Sequence, residues 1–99
     1  DRADQGYNIM ERTVTIVPEA GLHARPASKL VETANEFESE VQIAADGEDP
    51  VDAQSMLGVS SLGAEHGEEV RLIADGPDAE AALDALERVL TTPEDEYDE

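Results

Sequence analysis

Gly21-Leu22-His23-Ala24-Arg25-Pro26-Ala27 decides how the rest of the chain is read. An amphipathic run follows it at once. Proline is tolerated in the first turn of a helix, where its missing N–H would have had no partner. His23 therefore stands at or just before a helix N-terminus. Unpaired N–H groups and the positive end of the helix dipole attract anions there. The same positive end favours a neutral imidazole, whose lone pair is free to attack. Arg25 adds a permanent cation with a planar fork of donors suited to phosphate. Together these residues describe a histidine able to accept and hold a phosphoryl group.

The helix that follows is expected over residues 24–37. Its apolar side chains at Ala27, Leu30, Val31 and Ala34 keep the i, i+3, i+4, i+7 spacing of one buried stripe. Upstream, Thr13-Val14-Thr15-Ile16-Val17 is β-branched throughout and reads as a strand, ended by Pro18-Glu19-Ala20-Gly21. Downstream, Val41–Ala44 is a second strand, Asp46-Gly47 a turn and Val51–Ala53 a third strand. Ser55 to Leu62 is a short helix with Ser55 as its N-cap. Glu65-His66-Gly67 is a turn, and Glu69–Ala74 is the fourth strand. Gly76-Pro77-Asp78 starts a last helix, striped by Ala79, Ala82, Leu83, Leu86 and Leu90. The order is βαββαβα. The helical stripes need one sheet face to cover them, which predicts an α+β open-faced sandwich with three helices on the same side.

Residues 10–91 form the expected domain. Residues 1–9 lack usable periodicity and are expected to be a disordered leader or an artificial remnant, with Met10 as the natural start. Residues 92–99 are expected to be a solvated acidic tail.

The 99 residues include 25 acidic and 6 basic ones, for a formal net charge of −19. Such a charge argues against nucleic acid and against anionic membrane surfaces. It leaves an acidic partner-binding protein or a protein adapted to concentrated salt. Lysine occurs once, at Lys29, and the acids are evenly spread, which favours salt. At ~1 M ionic strength the Debye length falls to about 3 Å, so carboxylate repulsion is heavily screened. There is no cysteine, hence no thiolate nucleophile and no disulfide. No segment approaches the ~20 apolar residues of a membrane span. The expected setting is the cytoplasm, with no membrane insertion.

A second motif, Gln54-Ser55-Met56-Leu57-Gly58-Val59-Ser60-Ser61-Leu62-Gly63, lies on the short middle helix. With both motifs in this order on the βαββαβα pattern, the chain resembles the HPr family of histidine-containing phosphocarriers of the bacterial sugar phosphotransferase system. The resemblance spans roughly residues 11–90. It implies an antiparallel four-stranded sheet and a carrier rather than an enzyme. It further implies a phosphoryl group that comes from phosphoenolpyruvate through enzyme I and leaves to an A-type component of a sugar-specific enzyme II. On this resemblance His23 accepts through Nδ1, and Arg25 with backbone N–H groups holds the phosphoryl oxygens. Adjacent Met56 and Leu57 cannot both be buried equally well on a short helix: they either cover the core or, as the resemblance implies for at least one of them, form an exposed apolar patch that docks enzyme I. Ser55 matches a serine that is a regulatory phosphorylation site in some relatives, although Gln54 stands where lysine is frequent. Relatives also commonly surround the histidine with basic residues, whereas this chain offers mainly Arg25 and Lys29.

A monomer without cofactor or metal is expected. His66 reads as a solvated histidine with no second ligand at metal spacing. Two alternatives remain: a relay serving a dihydroxyacetone kinase, and a non-catalytic regulatory α+β ligand-binding module.

Overall fold

The computed structural model describes residues 9–93; most of the expected leader and tail, residues 1–8 and 94–99, lie outside them. The elements are β1 (Ile9–Thr15), α1 (Ala24–Ala34), β2 (Glu40–Ala45), β3 (Val51–Asp52), α2 (Met56–Leu62), β4 (Glu69–Asp75) and α3 (Ala79–Leu90). The type and order of every element agree with the sequence reading. Three boundaries differ by more than one residue, each because of a contact across the fold.

β1 begins at Ile9, one residue inside the segment expected to be a leader, because Ile9 pairs with Asp75 at the end of β4. It stops at Thr15 rather than Val17. Beyond that point the Val17 N–H turns away to the carbonyl of Leu90, at the end of α3. α1 stops at Ala34 rather than Phe37. Asn35 caps it, its Nδ2 donating both to the Val31 carbonyl and, across the fold, to the Gln54 carbonyl.

The four strands form one antiparallel sheet in the order β1-β4-β2-β3. β4 is inserted between β1 and β2; it pairs with β1 along its whole length and with β2 over Val70–Asp75. One face of each long strand is apolar: Val14 on β1, Val41 and Ile43 on β2, Val70, Leu72 and Ala74 on β4. Period-two alternation sends Glu11, Thr13 and Thr15 to the opposite, exposed face. The helices bring Leu30, Val59, Leu83, Leu86 and Leu90 onto the apolar face, all fully buried. This single layered core matches the open-faced arrangement expected from the stripes.

Two polar ties fix the helices at the edges. Arg12 Nη1 on β1 donates to Asp84 Oδ1 at 2.7 Å and Glu87 Oε1 at 2.9 Å on α3. Asp78, just before α3, accepts from Ser39 Oγ at 2.6 Å and from the N–H groups of Ser39 and Glu38. Gly76 permits that approach, since a Cβ there would lie 2.6 Å from Ser39 Oγ.

Candidate functional site

The loop between β1 and α1 carries the first motif. Pro18 O accepts from the Gly21 N–H, closing a turn, and the Leu22 N–H then donates to Ala64 O at 2.9 Å. Leu22 is fully buried and anchors the loop in the core. Gly21 has φ +74, and a Cβ on it would lie 2.9 Å from both Ala64 O and Glu65 Cα. Only glycine fits a left-handed backbone at that approach. The first motif is thereby pressed against the turn before β4.

His23 is the N-cap of α1, with extended backbone (φ −133, ψ 167). The chain enters the helix through Ala24 at φ +50, left-handed for a residue with a side chain. That conformation costs about 1–2 kcal/mol relative to the right-handed one. The sequence carried no signal for it. No side chain caps the first turn of α1, and no acid lies in it. The positive end of the helix thus faces outward beside His23. Pro26 is buried in the first turn, as its spacing implied.

The His23 ring is partly exposed, and its Nε2 lies 3.2 Å from Glu65 Oε2. Arg25 follows two residues later, exposed in the same first turn. The sequence alone places Glu65 only in a turn. It is 42 residues away in sequence, so no spacing rule could pair it with His23.

The second motif lies on α2. Ser55 is its N-cap, accepting from the Gly58 N–H at 3.2 Å as expected. Gly63 ends the helix in the left-handed conformation that glycine favours there. Val59 faces the core, whereas Met56 is 43% and Leu57 82% exposed. Neither is a core residue. Gln54 is structural, with Nε2 reaching the carbonyls of Ala34 and Ser39. His66 is not merely solvated, in contrast to what the sequence suggests. It is exposed, yet its Nδ1 lies 2.9 Å from the Val17 carbonyl, which can only accept.

Among the described residues, no group of three or more histidines and carboxylates is placed to hold a metal ion. None of their helices is long and apolar enough to cross a membrane.

Comparison with known proteins agrees with this arrangement. Residues 10–92 match the family model described as the PTS HPr component phosphorylation site. The phosphocarrier protein HPr of Haloferax volcanii is 67% identical over 86 residues, covering 86% of this chain and 97% of that protein. The crystal structure of HPr from Bacillus anthracis superposes with a TM-score of 0.79 at 35% identity, covering 83% of this chain and 96% of that one. Crh of Bacillus subtilis, crystallised as a domain-swapped dimer, matches with a TM-score of 0.65 at 42% identity, covering 78% of this chain and 87% of its own.

Proposed function

Because the chain belongs to the HPr family, the phosphocarriers of the phosphotransferase system, we propose that His23 is the residue that carries its phosphoryl group. It is a carrier and not an enzyme. The family match sets aside the reading as a ligand-binding module. The carrying observation is a partly exposed histidine beside an uncapped, acid-free helix start.

In this reading the donor is enzyme I. The lone pair of His23 Nδ1 forms a bond to phosphorus while the bond from phosphorus to the donor's leaving atom breaks, its electron pair returning to that atom. The N–H groups at the start of α1 and the Arg25 guanidinium receive the phosphoryl oxygens. The onward acceptor is an A-type enzyme II component. Met56 and Leu57 form the docking patch. An exposed apolar pair of this kind needs a partner to cover it, and α2 lies in the second family motif. Ser55 caps α2 at the edge of that patch. Phosphorylation there would set negative charge against the docking partner and weaken transfer. The protein works in the cytoplasm as a monomer. The acid excess suits a salt-rich cytoplasm, in keeping with the Haloferax relative.

Intact mass tests this reading. Incubated with phosphoenolpyruvate and enzyme I from the same source, the protein should gain one phosphoryl group and lose it in mild acid. No gain, or a gain stable to acid, would refute a phosphohistidine carrier.

A further inference from the structure

We infer that Glu65 is a positioning residue for phosphoryl transfer: its carboxylate keeps the His23 proton on Nε2 and so leaves the lone pair on Nδ1. This inference rests on reading His23 as the acceptor. A carboxylate at neutral pH has no proton to give, so in the 3.2 Å contact Nε2 must be the donor. A neutral imidazole has one N–H. With that proton on Nε2, Nδ1 carries the free lone pair.

The position of Glu65 is built into the fold. The Leu22 N–H holds the neighbouring Ala64 carbonyl at 2.9 Å. The Glu65 N–H donates to Glu68 Oε1 at 2.9 Å, and the Glu68 N–H donates back to the Glu65 carbonyl at 3.0 Å. The Gly67 N–H reaches Ile16 O at 2.8 Å, and His66 Nδ1 donates to Val17 O at 2.9 Å. Five bonds thus tie the turn together and to the β1 end of the same loop that carries His23. Gly21 makes room for the carboxylate, since a Cβ on it would sit 3.1 Å from Glu65 Oε1.

The charge balance of the reaction gives this contact a second effect. Before transfer the ring is neutral and protonated on Nε2. Once Nδ1 bonds phosphorus, the same ring carries a positive charge, with the phosphoryl group on one nitrogen and the proton on the other. A carboxylate beside Nε2 offsets that charge as it develops. When the phosphoryl group leaves, its bonding pair returns to Nδ1 and the ring is neutral again. No proton has to move in either direction.

Glu65→Ala should slow transfer from enzyme I about fivefold, the upper range for an exposed charged pair. Nitrogen NMR of the His23 ring, at a pH where it is neutral, gives a readout independent of turnover. The wild type should show mainly the Nε2–H form, and in Glu65→Ala the share of the Nδ1–H form should rise about fivefold relative to it. Glu65→Gln keeps an oxygen that can accept from Nε2. It should restore the tautomer and recover part of the rate. A Glu65→Ala protein unchanged in tautomer and rate would overturn the inference, as would an Nδ1–H ring in the wild type. His23→Ala run alongside separates the two claims. Acid-labile uptake by His23→Ala would sink the acceptor assignment, whereas no uptake there with an unaltered Glu65→Ala sinks only the role of Glu65.

Discussion

Leu57→Glu should weaken docking of the phosphoryl donor while the domain stays folded. The side chain is 82% exposed, so little of its apolar surface is shielded within the free protein. Fully burying a leucine side chain contributes about 1.5–3 kcal/mol, and the four-fifths still exposed corresponds to about 1.2–2.4 kcal/mol available to a partner. Lost as binding energy, that is about an eight- to sixtyfold rise in KM for the carrier. Folding should not suffer. Position 57 is the second residue of α2, where a carboxylate sits favourably against the positive end of the helix. The assay is steady-state transfer from enzyme I with the carrier concentration varied, beside a thermal melt of each protein. Met56→Glu should show a smaller effect, because Met56 is only 43% exposed. Unchanged KM in both single variants would refute the patch, and a lost melting transition would move Leu57 to a structural role.

Arg25→Ala should keep the acceptor nitrogen but remove a donor fork from the phosphoryl oxygens. Charge-assisted bonds contribute roughly 1.5–3 kcal/mol, so single-turnover transfer should slow about ten- to a hundredfold without stopping; an unchanged rate would remove Arg25 from the site. The excess of 19 negative charges should raise the melting temperature as potassium chloride goes from dilute to molar, and a salt-independent melt would contradict the halophilic reading. Asp78 is held below the ordinary carboxylate range, first by the Ser39 hydroxyl and then by the Glu38 and Ser39 N–H groups. Its contribution to stability is therefore full above the unfolded value of about 3.9 and is lost as pH falls through the lower folded value. Urea melts at descending pH should show the wild type losing stability relative to Asp78→Ala in that window, and parallel curves would rule the tie out.

The sequence made the elements legible because each apolar stripe has one face to bury and one way to face it. Leu30 in α1, Leu72 in β4 and Leu86 in α3 follow their periods into a single core. The strand order did not follow from the pattern. The insertion of β4 between β1 and β2 is a tertiary choice that alternation alone does not encode. The end of α1 is not legible in the sequence, because its stop is the Asn35 side chain bonding to the carbonyl of Gln54, 19 residues away. At the site, His23, Arg25 and Pro26 were readable because proline marks a helix start. The left-handed Ala24 was not, since alanine carries no preference for that conformation, nor was the approach of Glu65, which arises where two loops meet across the fold.

The chain contains two histidines, which makes the central claim a two-way experiment. His23→Ala and His66→Ala, each incubated with phosphoenolpyruvate and enzyme I, are compared by intact mass before and after mild acid. His66→Ala should gain one acid-labile phosphoryl group as the wild type does, because the His66 Nδ1 is engaged with the Val17 carbonyl in a turn and the proposed acceptor, His23, is intact. His23→Ala should gain none while keeping the wild-type fold by circular dichroism. Acid-labile uptake by a folded His23→Ala protein would contradict the account.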